Sequence, residues 1–215
     1  MLLRHMTKTA QALALFAVVG TAIVAFTHLN TRQQVDENRH QAVLRSLNAL
    51  VPATQHDNDM LRDTIKVLSP ELLGSRQPVL VYLARKEGVP VAAVFEAIAP
   101  DGYSGTIKLL IAIHDDGTIA GVRVVAHRET PGLGDYIELD RSDWILGFDG
   151  RSLFNPTQPG WRVKKDGGEF DQVTGATVTP RAIVKAVRNC LDYFAKHRDT
   201  LFGNPSASTM ERPAP

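Results

Sequence analysis

Sulfur is scarce in this chain. Cys190 is the sole cysteine among 215 residues, so no disulfide can close within it and no thiolate cluster can be built from it alone. It stands among apolar residues at helical spacing, which reads as a buried structural thiol rather than a reactive one. Surplus charge is missing as well. Lys and Arg number 24 against 23 Asp and Glu, a formal net charge of +1, which leaves no electrostatic footprint for nucleic acid. The chain also lacks a nicotinamide-binding glycine fingerprint, an activated serine or cysteine motif and any internal repeat. What is present is ordinary for a globular protein, 44% hydrophobic and 22% charged, with room for one domain plus accessories.

Charge is absent altogether from one stretch. From Thr9 to Leu29 there is no Asp, Glu, Lys or Arg. About 20 helical residues span the hydrocarbon core of a bilayer. Arg4 and Lys8 precede the run and no acid does, which keeps a short N-terminus in the cytoplasm. Ala25-Phe26-Thr27 makes a poor cleavage site and no cysteine lies near for lipidation, so a retained anchor is expected rather than a cleaved signal peptide. The expected organisation is a cytoplasmic N-terminus (1–8), a transmembrane anchor (9–29), a helical connector (30–75), a soluble domain (76–200) outside the inner membrane and a disordered tail (201–215).

Beyond the anchor, Thr31 to Leu50 carries apolar residues at Val35, Ala42, Leu44, Leu47 and Leu50 and reads as a helix stopped by Pro52. Asp57 to Leu68 reads as a second, weaker helical stretch. The period then changes to that of strands. Val79–Arg85, Val89–Ala99, Gly105–His114 and Thr118–His127 are rich in Val, Ile, Tyr and Phe. Lys86-Glu87-Gly88 and Asp115-Asp116-Gly117 supply the hairpin turns between neighbours. Trp161–Lys164 is a further strand-like run before the Lys165-Asp166-Gly167-Gly168 turn. A last helix over Arg181–His197, apolar at Ile183, Val184, Val187, Cys190, Leu191 and Phe194, would close over the sheet. The predicted class is α+β, a largely antiparallel sheet with packed helices, preceded by one N-terminal transmembrane helix.

Three segments carry possible chemistry. Asp171-Gln172-Val173-Thr174-Gly175-Ala176-Thr177-Val178-Thr179-Pro180 sets threonines in a small-residue turn and then starts the last helix. Pro180 suits the first helical position and Thr179 the N-cap. The N–H groups of a helix start favour an anion, so a phosphate near Thr177 would be welcome there, although a capped turn needs nothing beyond these residues. Gly102-Tyr103-Ser104-Gly105 lets the backbone approach a ligand and offers an aromatic face, or is a glycine-bounded turn with a packed tyrosine. His127-Arg128-Glu129-Thr130-Pro131-Gly132-Leu133-Gly134-Asp135 ends a strand in a polar, irregular loop. No third ligand accompanies His127 and Glu129, which weakens a metal reading.

Asp-x-x-Thr-Gly-Ala-Thr resembles the flavinylation motif of the FMN-binding domain family. With Gly-Tyr-Ser-Gly and His-x-Glu-Thr-Pro-Gly-Leu-Gly in the same order, and the single N-terminal anchor, the chain is similar to the RnfG family of the Rnf electron transport complex. The related sodium-pumping quinone reductase has a similar flavin-bearing subunit, but the His-to-Gly loop and chain length suit the RnfG family better. The resemblance implies FMN joined by a phosphoester to Thr177, with Thr179 as the rival acceptor. It also implies that Thr174, Gly175, Ala176, Val178 and Thr179 surround the attachment and that Tyr103, Ser104, Glu129, Thr130 and Leu133 line the ring. No catalytic residue or metal is expected. The implied role is an electron relay between reduced ferredoxin and NAD, within an ion-translocating complex of the bacterial inner membrane. The soluble domain would be periplasmic, the partners the other Rnf subunits, and maturation would need a flavin transferase. A non-covalent flavin reductase and a flavin-free periplasmic scaffold are the rival classes.

Overall fold

The structure is a computed structural model, described for residues 2–203 other than Thr174. It falls into two compact units, one ending at Arg45 and one beginning at Ser46. The first is formed by α1 (Leu2–Leu50, whose last turn belongs to the second unit), a helix that includes the apolar run and the helical stretch expected over Thr31–Leu50. Met6–His28 is long and apolar enough to cross a membrane, with a mean hydropathy of 2.0. Its large side chains are open, Phe16 at 82% exposure and Leu13 at 67%. Thr27 and Thr31 donate their hydroxyls to the carbonyls of Ile23 and Thr27, so neither brings an unpaired polar group to the segment.

In the second unit a five-stranded antiparallel meander runs in the order β1 to β5: Thr64–Val67, Val79–Lys86, Val89–Gly102, Gly105–His114 and Ile119–Ala126. The four long strands coincide with the predicted ones. The β2–β3 turn works because Glu87 and Gly88 both adopt positive φ, 53° and 79°. β1 corrects the helix expected over Asp57–Leu68. The Asn58 side chain holds the Leu83 carbonyl and the Arg85 N–H, and Asp63 pairs with Arg85 at 2.8 Å. These ties lay the segment along β2 as an edge strand, where Thr64, Ile65 and Val67 favour the extended form. Pro70–Leu73, placed at a turn by its Ser-Pro start, forms the one-turn helix α2, closed by Gly74 in the left-handed region.

Both faces of the sheet are covered. On one, the row Val81–Phe95–Ile111–Val122 lies under α3 (Val178–Phe202), where Phe95 meets Tyr193 and Phe194 edge-on at 6.0 and 6.2 Å. On the other, the row Tyr82–Val94–Ala112–Gly121 lies under the end of α1 and the chain after it, where Leu47, Leu50 and Val51 are buried. A Cβ on Gly121 would stand 2.8 Å from the Leu50 side chain, so glycine here makes room for that packing. Cys190 is buried in the α3 face, and burial pushes its thiol well above the ordinary range, leaving it unreactive.

Between β5 and α3 the chain forms loops and short 3-10 helices around an aromatic cluster. Phe148 stacks on Phe170 at 4.7 Å, and Trp161 lies 5.1 Å from Phe170. The strand expected over Trp161–Lys164 is replaced by 3-10 turns at Gln158–Gly160 and Lys164–Asp166 with one bridge, Val163 to Phe170. Trp161 and Val163 are drawn into the cluster instead of a ladder. Gly168 folds so close to the Arg162 backbone that a Cβ would sit 2.0 Å from its carbonyl oxygen. The last helix is longer than expected, starting at Val178 and running to Phe202. The tail beyond residue 203 lies outside the described residues.

Candidate functional site

Three connections converge on a cavity of about 330 Å³. Tyr103 comes from the tight turn between β3 and β4, where Gly102 and Gly105 pair across the hairpin. Glu129, Thr130, Leu133 and Gly134 come from the loop after β5, and Gly175 to Thr179 from the entry to α3. Nine of the predicted site residues therefore share one wall. Ser104 is not on the wall but donates its backbone N–H to Glu129 Oε1 at 2.9 Å. Thr174 lies outside the described residues.

The two candidate threonines differ sharply. Thr177 is half-buried at the N-cap of α3, and its side chain makes no cap hydrogen bond. The first N–H groups of a helix have no intrahelical acceptor, and those of Val178 and Thr179 follow directly. Thr179, expected to be the cap, is instead 1% exposed inside the first turn and donates its hydroxyl to Glu129 Oε2. Its hydroxyl is committed; that of Thr177 makes no cap bond.

The turn leading into α3 is fixed from outside. Ala176 N–H bonds to the Val173 carbonyl at 3.0 Å, and Gly175 takes a φ of 89°, a conformation that costs any other residue steric strain. Trp144 donates its indole N–H to the Asp171 carbonyl at 2.7 Å, and Lys164 pairs with the Asp171 carboxylate at 2.6 Å. Tyr136, edge-on to Trp144 at 5.6 Å, reaches the Ala176 carbonyl at 3.4 Å. Burial, with the nearby Glu129 charge adding to it, pushes the Tyr136 phenol up to about 12. Sequence reading misses Tyr136 and Trp144. A Trp and a Tyr in a polar, irregular stretch are the available signal, because buried aromatics with a polar tip serve as hydrogen-bonding props.

The loop after β5 is built around the Glu129 carboxylate. His127 Nδ1 accepts the Glu129 backbone N–H at 3.0 Å, and its Nε2 lies 2.7 Å from Glu138 Oε1. His127 thus aims the loop and does not join the Glu129 carboxylate. A Cβ on Gly134 would stand 2.8 Å from Glu129 Cβ, which explains the glycine at that position.

Residues 102–192, from the Tyr103 turn through most of α3, match the FMN-binding domain family, and residues 1–50 match the RnfG N-terminal region. The G subunit of the ion-translocating oxidoreductase complex of Pseudoalteromonas atlantica is 47% identical over 195 residues, 91% of each chain. The protein of that name from Vibrio cholerae strain O395 is 44% identical over 205 residues, 95% of this chain and 98% of its own. That from Pseudomonas aeruginosa strain UCBPP-PA14 is 47% identical over 208 residues, 97% of both. The chain belongs to the RnfG family. The resemblance drawn from the three motifs therefore holds, and the cavity lies within the FMN-binding domain of an RnfG chain.

Proposed function

We propose that this RnfG chain carries FMN joined through its phosphate to the Thr177 hydroxyl, and that it relays electrons within a membrane-bound, ion-translocating ferredoxin:NAD oxidoreductase complex. The observation that carries the reading is the contrast at the entry to α3: Thr177 has a half-buried hydroxyl making no cap bond, while Thr179 is engaged by Glu129. The residues present suit the group. Tyr103 and Leu133 offer exposed apolar surface, the cavity holds about 330 Å³, and the helix start supplies N–H donors for phosphate charge.

FMN supplies the electron-transfer chemistry, so the chain needs no general base or nucleophile of its own. Thr177 tethers, Gly175 shapes the approach, and the start of α3 offsets negative charge. Such a tether keeps a partly exposed carrier from dissociating. Met6–His28 anchors the chain with the short N-terminus in the cytoplasm and the second unit in the periplasm, beside the other Rnf subunits. A flavin transferase completes the attachment.

The reading is tested by co-expressing the protein with a flavin transferase and reading flavin fluorescence on a denaturing gel. Thr177→Val should lose all label, whereas the isosteric Thr179→Val should keep it. Label that survives in Thr177→Val and disappears in Thr179→Val would overturn the assignment.

A further inference from the structure

Glu129 is the one carboxylate buried among the described residues, 4% exposed, and it stands on the wall of the cavity. Both of its oxygens face neutral donors: the Ser104 N–H at 2.9 Å on Oε1 and the Thr179 hydroxyl on Oε2. None of the ion pairs among the described residues includes it. The neighbouring base is spent elsewhere, since His127 turns one nitrogen to the Glu129 backbone and the other to Glu138. The backbone closes around the group. A Cβ on Gly102 would stand 3.0 Å from Oε1, and one on Gly134 3.2 Å from Oε2. Its charge is felt across the site, where it adds to burial in raising the Tyr136 phenol. A carboxylate held out of water by hydrogen bonds alone is costly to keep, and its field is weakly screened.

We infer that Glu129 is a fixed negative charge that lowers the reduction potential of the flavin held in this cavity, an inference that rests on the FMN reading above. Reduction brings electrons from an external donor to the ring, with no bond to the protein formed or broken. Each added electron is repelled by the carboxylate, so the oxidised form is favoured and the bound flavin becomes a stronger reductant. Glu129 thereby does more than line the cavity: it biases the potential of the carrier held there.

The test is a spectroelectrochemical titration of the full, flavinylated chain in detergent. Glu129→Gln keeps an acceptor for the Ser104 N–H and removes the charge. It should raise the midpoint potential by at least a tenfold change in the reduction equilibrium, about 59 mV for a one-electron couple. Glu129→Ala, which loses charge and hydrogen bonds together, should move it the same way. Glu129→Asp keeps the charge with altered geometry and should stay within threefold of the parent equilibrium. A potential unmoved in both neutral variants, or shifted as much in Glu129→Asp, overturns the inference while leaving the FMN reading intact. If Glu129→Gln does not accumulate folded, the Ala and Asp pair decides. A parent protein without flavin, after co-expression with active transferase, overturns the FMN reading and this inference with it.

Discussion

The sheet with α3 and the loops between β5 and α3 solve different problems. The sheet body is held by apolar rows on both faces, with Phe95 and its two ring partners on α3 near the middle of one. Its stability is spread over many contacts, none of them chemically special. The loops bury a cluster of their own, Phe148, Trp161 and Phe170, but at the site they are positioned by single polar ties: Trp144 to Asp171, Tyr136 to Ala176, Ser104 and Thr179 to Glu129. Stability is therefore shared by the sheet body and the aromatic cluster, whereas the shape of the site rests on a few hydrogen bonds.

The comparison is sharpened most by a lesion in the body. Phe95→Ala should cost about 3–5 kcal/mol in denaturant unfolding, enough to threaten the fold, because it opens a cavity under α3. An effect below about 1 kcal/mol would contradict the placement of the core. Gly175→Ala should cost less, about 1–2 kcal/mol from the left-handed backbone, yet cut flavin loading severely by reshaping the turn before Thr177. Melting and label per protein, measured together, separate the two effects. Trp144→Phe keeps the ring contact and drops the indole bond to Asp171. About 1 kcal/mol of stability should go, with slower flavinylation and an unchanged sheet by circular dichroism.

An effect confined to alkaline pH should come from Tyr136. The Tyr136 phenol is raised to about 12 in the folded chain from an ordinary value near 10. Folding thus favours the neutral phenol, a contribution fully present below pH about 10 and lost as pH rises through about 12. Tyr136→Phe should flatten that part of the stability-against-pH curve. A parent and variant that lose stability in parallel over this window would place the phenol in water.

What can be read from the sequence follows the same division. Strands β2 to β5 and α3 are legible because their burial imposes a period on the residues. The site residues are legible only through the spacing of Gly102-Tyr103-Ser104-Gly105, the Glu129 loop and the Thr177 turn, since nothing periodic marks a loop that hydrogen-bonds over long sequence distances. β1 reads locally as helix, and its extended form comes from Asn58 and Asp63 gripping β2, a tertiary tie that local propensity does not contain. Thr179 reads as the cap for a similar reason. A threonine before a proline looks like a cap locally, and only the fold brings Glu129 to claim its hydroxyl. The Trp161–Lys164 run reads as strand, yet its apolar residues serve the aromatic cluster and not a ladder.

The central claim, a flavin tethered at Thr177, is met most directly by the intact mass of the denatured protein after co-expression with a flavin transferase, followed by peptide mapping. The account predicts an added FMN minus one water on the peptide holding Thr177, with fragmentation placing it on that residue and not on Thr179. An unmodified mass, with the transferase shown to be active on a control substrate, would contradict it.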